Sequence, residues 1–538
     1  MPVSEPSRTT LRGDSGPGRS RRSGPWRWFC DLPLAARGLI ILAAVFGSFC
    51  LFFAEENWRG RHAWENCRRD LEARGVELDW TKFAPPPVPD EQNFAMTPFL
   101  APLFDFNPKP RAPGQPLWRD MAAHDRAVNF AVALLPSNEK GEIPATIFAG
   151  RFTDLAGALA ALRNRTNSVS TQTAPDRTQT ATALLSELEQ YNGVLQELRA
   201  ASKRPECRFN VEYDAEDPIS IMLPHYIVLQ RVSRVLQVRA SAELALGKTD
   251  AAFADTELML YLAGAIRNEP FLIAGMAGGT MLKRTALIIW EGLAERKWSE
   301  AQLASLQARL ATFTPLKSLD LGLKAERAAF GNAAFRYIRN HKNALRDLVS
   351  SDQAPNSLAY LLAGPSGWLF QEQAVNQRLH DQRILPNFDP AAGRVFPSVV
   401  EENKKGLERE FQRSLAWNHT GMSKLLLVNL LRLFQRAAFG QARQDHAIIA
   451  CALERCRLAT GAYPASLDAL VPRFLNRVPL DVCDGKPMKY RLQPDGQFVL
   501  YGVGWNEKDD GGTMVTTADG SDTEPNQGDW IWPAYPKT

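Results

Sequence analysis

Between Tyr501 and Gly512 the chain reads YGVGWNEKDDGG, a run that mixes carboxylates with glycines. Calcium takes six to eight oxygens, from carboxylates and carbonyls on flexible loops. Gly511 and Gly512 allow backbone carbonyls to turn inward. From Trp505 to Thr538 seven acids stand against two lysines, so the segment is anionic. Two readings fit these residues: a loop that holds a metal ion, or a solvated turn after a strand.

Other chemistry is not spelled out locally. No HExxH, GxSxG or GxGxxG occurs. The LGKTD run at 246–250 carries the GKT of a phosphate loop, but Ala242 stands where the first glycine is required. The histidines at 62, 124, 225, 341, 380, 419 and 446 are scattered, with no pair at metal-ligand spacing. His225 follows Pro224 at a helix start, where capping or packing is its expected role. His446 neighbours Asp445 on a helix, where adjacent residues do not face each other. No catalytic residue and no organic cofactor is nominated.

The elements that would carry a site are mostly helical. Residues 117–419 read as one irregular helical domain. Its clearest stretch runs from Leu223 to Pro270, with apolar positions at Ile227, Val228, Val232, Val235, Leu236 and Val238. LGKTD is the turn, and a second helix follows through Phe253, Leu258 and Leu262. This LGxxxxA…P pattern resembles a single tetratricopeptide helix pair. No second copy follows at the period of an array, so the domain reads as irregular and repeat-derived. The apolar runs Pro270–Leu282 and Leu425–Phe434 are too short to span a bilayer and read as buried helices. Residues 420–538 read as a small α+β domain. A helix ends at Gly461, and a hairpin pairs Tyr490 and Leu492 with Phe498 and Leu500 about the turn Pro494–Asp495–Gly496. The fold class is therefore mainly α, closed by a small α+β domain in which a long helix packs on antiparallel strands.

That ending resembles the globular domain of type II secretion major pseudopilins. The residues that carry the resemblance are CRLATGAYP, SLDALVP, VPLD, DGKPMKY, FVLYGVGWNEKDDGG and GDWIW, in this order over residues 440–532. In that family the acidic loop after the hairpin binds calcium. The resemblance implies a structural Ca2+ site with Asn506, Asp509, Asp510 and Asp529 as its residues, Asn506 standing where the family often has Asp. A pseudopilin's membrane helix runs directly into this domain. Here the apolar span lies far upstream, so fibre assembly is not implied. ENWRGRHAWE and PPPVPDEQNFAMTPFLAPLF, with this ending, also resemble a family of bacterial membrane-anchored proteins that lends no activity.

Charge and hydropathy place the chain. Residues 1–54 hold seven Arg and three acids, and the remainder holds equal numbers of cations and anions. A neutral body argues against a nucleic-acid partner, which needs clustered cations. Gly38 to Ala54 is an uncharged apolar run, roughly 25 Å as a helix, and starting at Leu34 lengthens it. A cleaved signal peptide is the competing reading. No small-x-small site follows the run, only EENWRG, and Phe49 before Cys50 spoils a lipoprotein-type site. Arg19, Arg21, Arg22, Arg27 and Arg37 precede the span, whereas Arg59 and Arg61 stand beside Glu55 and Glu56. The expected topology is a single inner-membrane span with a cytoplasmic N-terminus and an extracytoplasmic, periplasmic body. Five cysteines then lie outside, an odd number without CxxC, which speaks against a disulfide framework.

The expected organisation is a disordered cytoplasmic tail at 1–33 and a transmembrane anchor at 34–54. A juxtamembrane helix and proline-rich strap at 55–116 join them to the two domains. The function this supports is an envelope- or secretion-associated scaffold or interaction protein with a protein partner in the envelope. The alternative is an envelope hydrolase with a cleft in the helical domain.

Overall fold

The computed structural model describes residues 29–30, 32–107, 116–134, 150–163, 176–341, 343–350, 358, 360–412, 418–517 and 523–535. Most of the tail expected at 1–33 lies outside these residues. The first long element, α1 (Leu34–Ala73), is a forty-residue helix, roughly 60 Å at 1.5 Å per residue. Its first half is apolar and exposed, as at Leu39, Leu42, Phe46 and Leu51. It is long and apolar enough to cross a membrane, with a mean hydropathy of 2.1 over its best window. Its second half buries Glu56, Gly60, Trp64 and Leu71, spaced at helical intervals along one face. The apolar run and the helix expected after it are thus one element. EENWRG changes polarity but contains no proline, so the helix has no reason to stop there.

The strap that follows is folded against the body. Phe94, Leu100 and Leu103 are fully buried, and Phe99 and Phe104 nearly so. Short 3-10 turns replace regular helix, as ten prolines between 85 and 116 require. The body is built on α2 (His225–Ala245), α3 (Thr249–Ala265), α4 (Leu272–Ala294), α5 (Glu300–Leu310) and α6 (Pro315–Ala328). The turn between α2 and α3 is closed by Gly247 at φ +71°, a conformation open to glycine. At α5, Ser299 and Gln302 form a capping box. Helix α4 extends the short apolar run at 270–282 to 23 residues. It too passes the length and hydropathy test for a span, but 56% of its apolar window is buried in the protein. Further on, α7 (Gly367–Leu379) receives the polar half of α1.

After α8 (Gly421–Leu427), α9 (Leu431–Thr460) runs thirty residues and ends at Gly461, φ +88°. Strands β1 (Lys489–Leu492) and β2 (Phe498–Gly502) pair antiparallel with Leu492 opposite Phe498. A second hairpin joins β3 (Met514–Thr516) to β4 (Thr523–Gly528), and β5 (Trp530–Trp532) returns to pair with β2. The segment between the acidic loop and GDWIW therefore contains a strand pair. Helix α9 lies between the body and this sheet, touching α4 and α5 on one side and β2 and β5 on the other. One hydrophobic core runs through Leu103 of the strap, Leu236 and Ile288 of the body, Leu453 of α9 and Leu500 and Trp532 of the sheet. The last segment shares its core with the helical body.

Candidate functional site

The acidic loop begins where β2 ends, turning at Gly504 with φ +70°. Its hub is Asp529, which is fully buried. Asp529 Oδ1 accepts from Asp510 N at 3.2 Å, and Oδ2 accepts from Gly512 N at 2.7 Å and Thr513 N at 3.3 Å. Asp529 N returns a bond to Thr513 O at 2.9 Å. Gly511 and Gly512 both sit at positive φ, which lets successive N–H groups point at one carboxylate. Burial raises the Asp529 pKa, and these N–H bonds oppose the rise.

The other nominated residues gather around that hub. Asn506 Nδ2 donates to Asp510 Oδ2 at 2.8 Å, and Asn506 Oδ1 accepts from Lys508 N at 3.0 Å. Asp509 Oδ1 accepts from Tyr501 Oη at 3.0 Å and from Gly511 N at 3.0 Å. Asp509 and Asp510 are exposed. The fold thus brings Asn506, Asp510 and Asp529 into one hydrogen-bonded loop and turns Asp509 toward Tyr501. As arranged, the oxygens of Asp529 are satisfied by backbone N–H groups. Among the described residues no three Asp, Glu, His or Cys side chains converge on one point.

A second polar site was not legible in the sequence. Where α1 leaves its apolar half, Glu56 Oε2 accepts from Trp368 Nε1 and Gln371 Nε2, both at 3.0 Å. Burial works to raise the Glu56 pKa; bonds from Gln371 and Trp368 and the charge of Arg59 outweigh it and hold the carboxyl below its usual value. One residue on, Asn57 Oδ1 accepts from Gly367 N at 2.7 Å and Ser366 Oγ at 3.0 Å. A Cβ on Gly60 would collide with the Gly367 carbonyl, so the two backbones touch. At the far end of α1, Arg74 Nη2 meets Asp381 Oδ2 at 2.7 Å, and Arg327 Nη1 meets the other oxygen of Asp381 at 2.8 Å. The glutamate and asparagine of EENWRG were the only local signal, and they read equally well as residues that flank a span.

Two buried carboxylates of the body, Glu291 and Glu269, are held by internal partners. Glu291 accepts from Thr153 N at 2.7 Å, Thr153 Oγ1 at 2.6 Å and Arg177 Nη2 at 3.1 Å, as well as from Ser241 Oγ. Each oxygen of this carboxylate is already bonded, and no histidine faces Ser241 among these contacts. His225 is buried, with Nε2 2.9 Å from Glu269 Oε2 and its ring stacked on Phe209 at 4.2 Å. The same Glu269 oxygen accepts from Tyr226. Packing, the role expected of His225, is what these contacts give it. His380 and His446 are driven down to about 3 by burial, so both imidazoles are neutral.

A cavity of about 320 Å³ lies among α4, α9 and the α5–α6 turn. Leu272, Met276, Phe313, Leu433 and Phe439 give it an apolar wall. Arg267, Lys283, Arg436 and Arg443 also line it, and among the described residues no Asp, Glu or His does. No protein-family model, curated protein or solved structure matches the chain.

Proposed function

We propose that this chain is a membrane-anchored scaffold or interaction protein whose body stands outside the cytoplasm. The observation that carries the reading is α1. Its apolar half is exposed, and its polar half is bonded into the body at Glu56, Asn57, Gly60 and Arg74. A helix that enters a bilayer at one end and is clamped at the other holds the body at a fixed angle to the membrane. A flexible tether would need no such clamp. The helix also continues unbroken across Ala54, where cleavage of a signal sequence would fall. The arginines before the span orient it with the N-terminus inside. In this reading the last segment is a pseudopilin-like cap on the body, and its acidic loop a calcium site. The cavity lining favours binding over acid–base chemistry, which needs a carboxylate or imidazole within reach of the reacting group.

The test has two arms. A periplasmic-type reporter fused after residue 115 should be active, and the intact chain should resist alkaline extraction from membranes with its N-terminus uncleaved. A mature chain that begins beyond Ala54, or a reporter active only in the cytoplasm, would overturn the anchor. Cross-linking in intact membranes, with capture through a tag at Thr538, should return a discrete partner. A chain recovered alone and monomeric would sink the interaction role.

A further inference from the structure

The cavity among α4, α9 and the α5–α6 turn combines an apolar floor, a cationic border and room for a chain. Its floor is open because of glycine: a Cβ added at Gly275, Gly279 or Gly440 would meet nothing within 4 Å, and all three line the space. Its volume of about 320 Å³ falls in the range of small-molecule sites, roughly 300–1,000 Å³. Arg267 and Arg436 line it and are exposed, so their charge can meet a ligand at the opening. Arg443 and Lys283 add positive charge to the lining. Arg443 itself lies over the Phe439 ring at 4.3 Å and donates to Thr523 Oγ1 at 3.1 Å.

One polar group in the wall is incomplete. Gln444 is 4% exposed, and its Nε2 donates to Leu310 O and Phe313 O, both at 2.9 Å. Its Oε1 has no hydrogen-bond partner among the described residues, a state that buried amides avoid. Beside the cavity, Ile273 and Met276 near the start of α4 expose 48% and 40% of their surface. They add exposed apolar surface at the edge of the cavity.

We propose that this cavity binds an anionic amphiphile with a single acyl chain. The chain lies on the glycine face of α4 against Phe313 and Phe439, and the anionic head meets Arg267 and Arg436. A cation of the same length would be repelled by the border, and a neutral chain would gain nothing from it. Two sources supply such a molecule: a free fatty acid with a carboxylate head, or a lysophospholipid with a phosphate head.

The test uses the full chain in nanodiscs of zwitterionic lipid and a diazirine-bearing dodecanoate as photoprobe. Labelling should fall in peptides covering 272–286 and 433–444. Laurate and lauroyl lysophosphatidylglycerol should compete, the stronger competitor naming the source, whereas dodecyltrimethylammonium should not. Gly279→Leu, whose Cβ meets nothing within 4 Å, puts a side chain into the space and should cut specific labelling by about tenfold or more, close to 1.4 kcal/mol, with an unchanged melt. Gly275→Leu is the second filling variant should the first not fold. Arg436→Glu should weaken competition by laurate severalfold. Labelling that survives both filling variants, or equal competition from the cationic chain, would overturn the proposal.

Discussion

Gly60 and Gly367 mark the point where α1 crosses α7 backbone to backbone: a Cβ on Gly60 would fall on the main chain of Gly367, and one on Gly367 on the main chain of Glu56 and Asn57. The bonds from Gly367 N and Ser366 Oγ to Asn57 close the same crossing. Replacing either glycine by leucine should therefore part the helices, at a cost of about 1–3 kcal/mol or more. The measured signs are a lower melting temperature and new protease cuts near residues 74–84, with membrane attachment retained. A variant that melts and digests like the parent would show that the crossing tolerates separation.

Asp529 organises its loop through backbone donors, so its removal strands three N–H groups. Asp529→Ala should destabilise the metal-free protein by about 1.5–3 kcal/mol, the range for a hydrogen-bonded charge, seen as a lower melting temperature, and open the loop at 509–513 to protease. An unchanged metal-free melt would leave those N–H groups satisfied by water.

Calcium at the same loop has a separate test. By binding only the folded form the ion should stabilise it, by about 2.7 kcal/mol at a hundredfold excess over Kd, and so raise the melting temperature. Asp510→Ala should abolish that response while changing the metal-free melt little, because the side chain of Asp510 is exposed. Identical melts with calcium and with chelator would leave Asp509 and Asp510 as solvated acids.

Leu453 is fully buried in the core that α9 shares with the body and the sheet. Leu453→Ala should cost about 2–5 kcal/mol. Residues 420–538 expressed alone should lack a cooperative melt, because the face of α9 that meets α4 and α5 would be bare. A sharp thermal transition in that fragment would show that the sheet side of the core suffices.

Stability should also depend on pH through Glu372. Burial pushes its carboxyl up to about 7, against hydrogen bonds from Tyr360 Oη and the N–H groups of Met422 and Gly421. The folded form then holds its proton more tightly than the unfolded chain. The stabilising contribution is complete below about pH 4.5 and is lost as pH rises through about 7, a difference of about 3 kcal/mol. Asp445 and Glu326 are raised to about 7 by burial as well and add to the same window. Melting curves from pH 4.5 to 7.5 should fall less steeply for Glu372→Gln than for the parent. Parallel curves would place the titration elsewhere.

The sequence by itself determined what periodicity and special residues encode. The α2–α3 pair around LGKTD, the end of α9 at Gly461, the β1–β2 hairpin about Asp495–Gly496 and the apolar run into α1 were each legible. Each depends on neighbours a few positions away: a helical repeat, a left-handed glycine or an alternating strand. Tertiary structure decided the rest. Glu56 meets Trp368 across 312 positions, and no local pattern names such a partner. Asp529 was legible as an acid, but its cage of N–H groups depends on how Gly511 and Gly512 turn. The shared core was hidden for a similar reason: a hydrophobic stripe states which face of α9 must be covered, not whether strands or helices cover it. The cavity was least legible of all. Gly275, Gly279 and Gly440 read as weak helix residues, and only the packing of α4 against α9 turns their missing side chains into space.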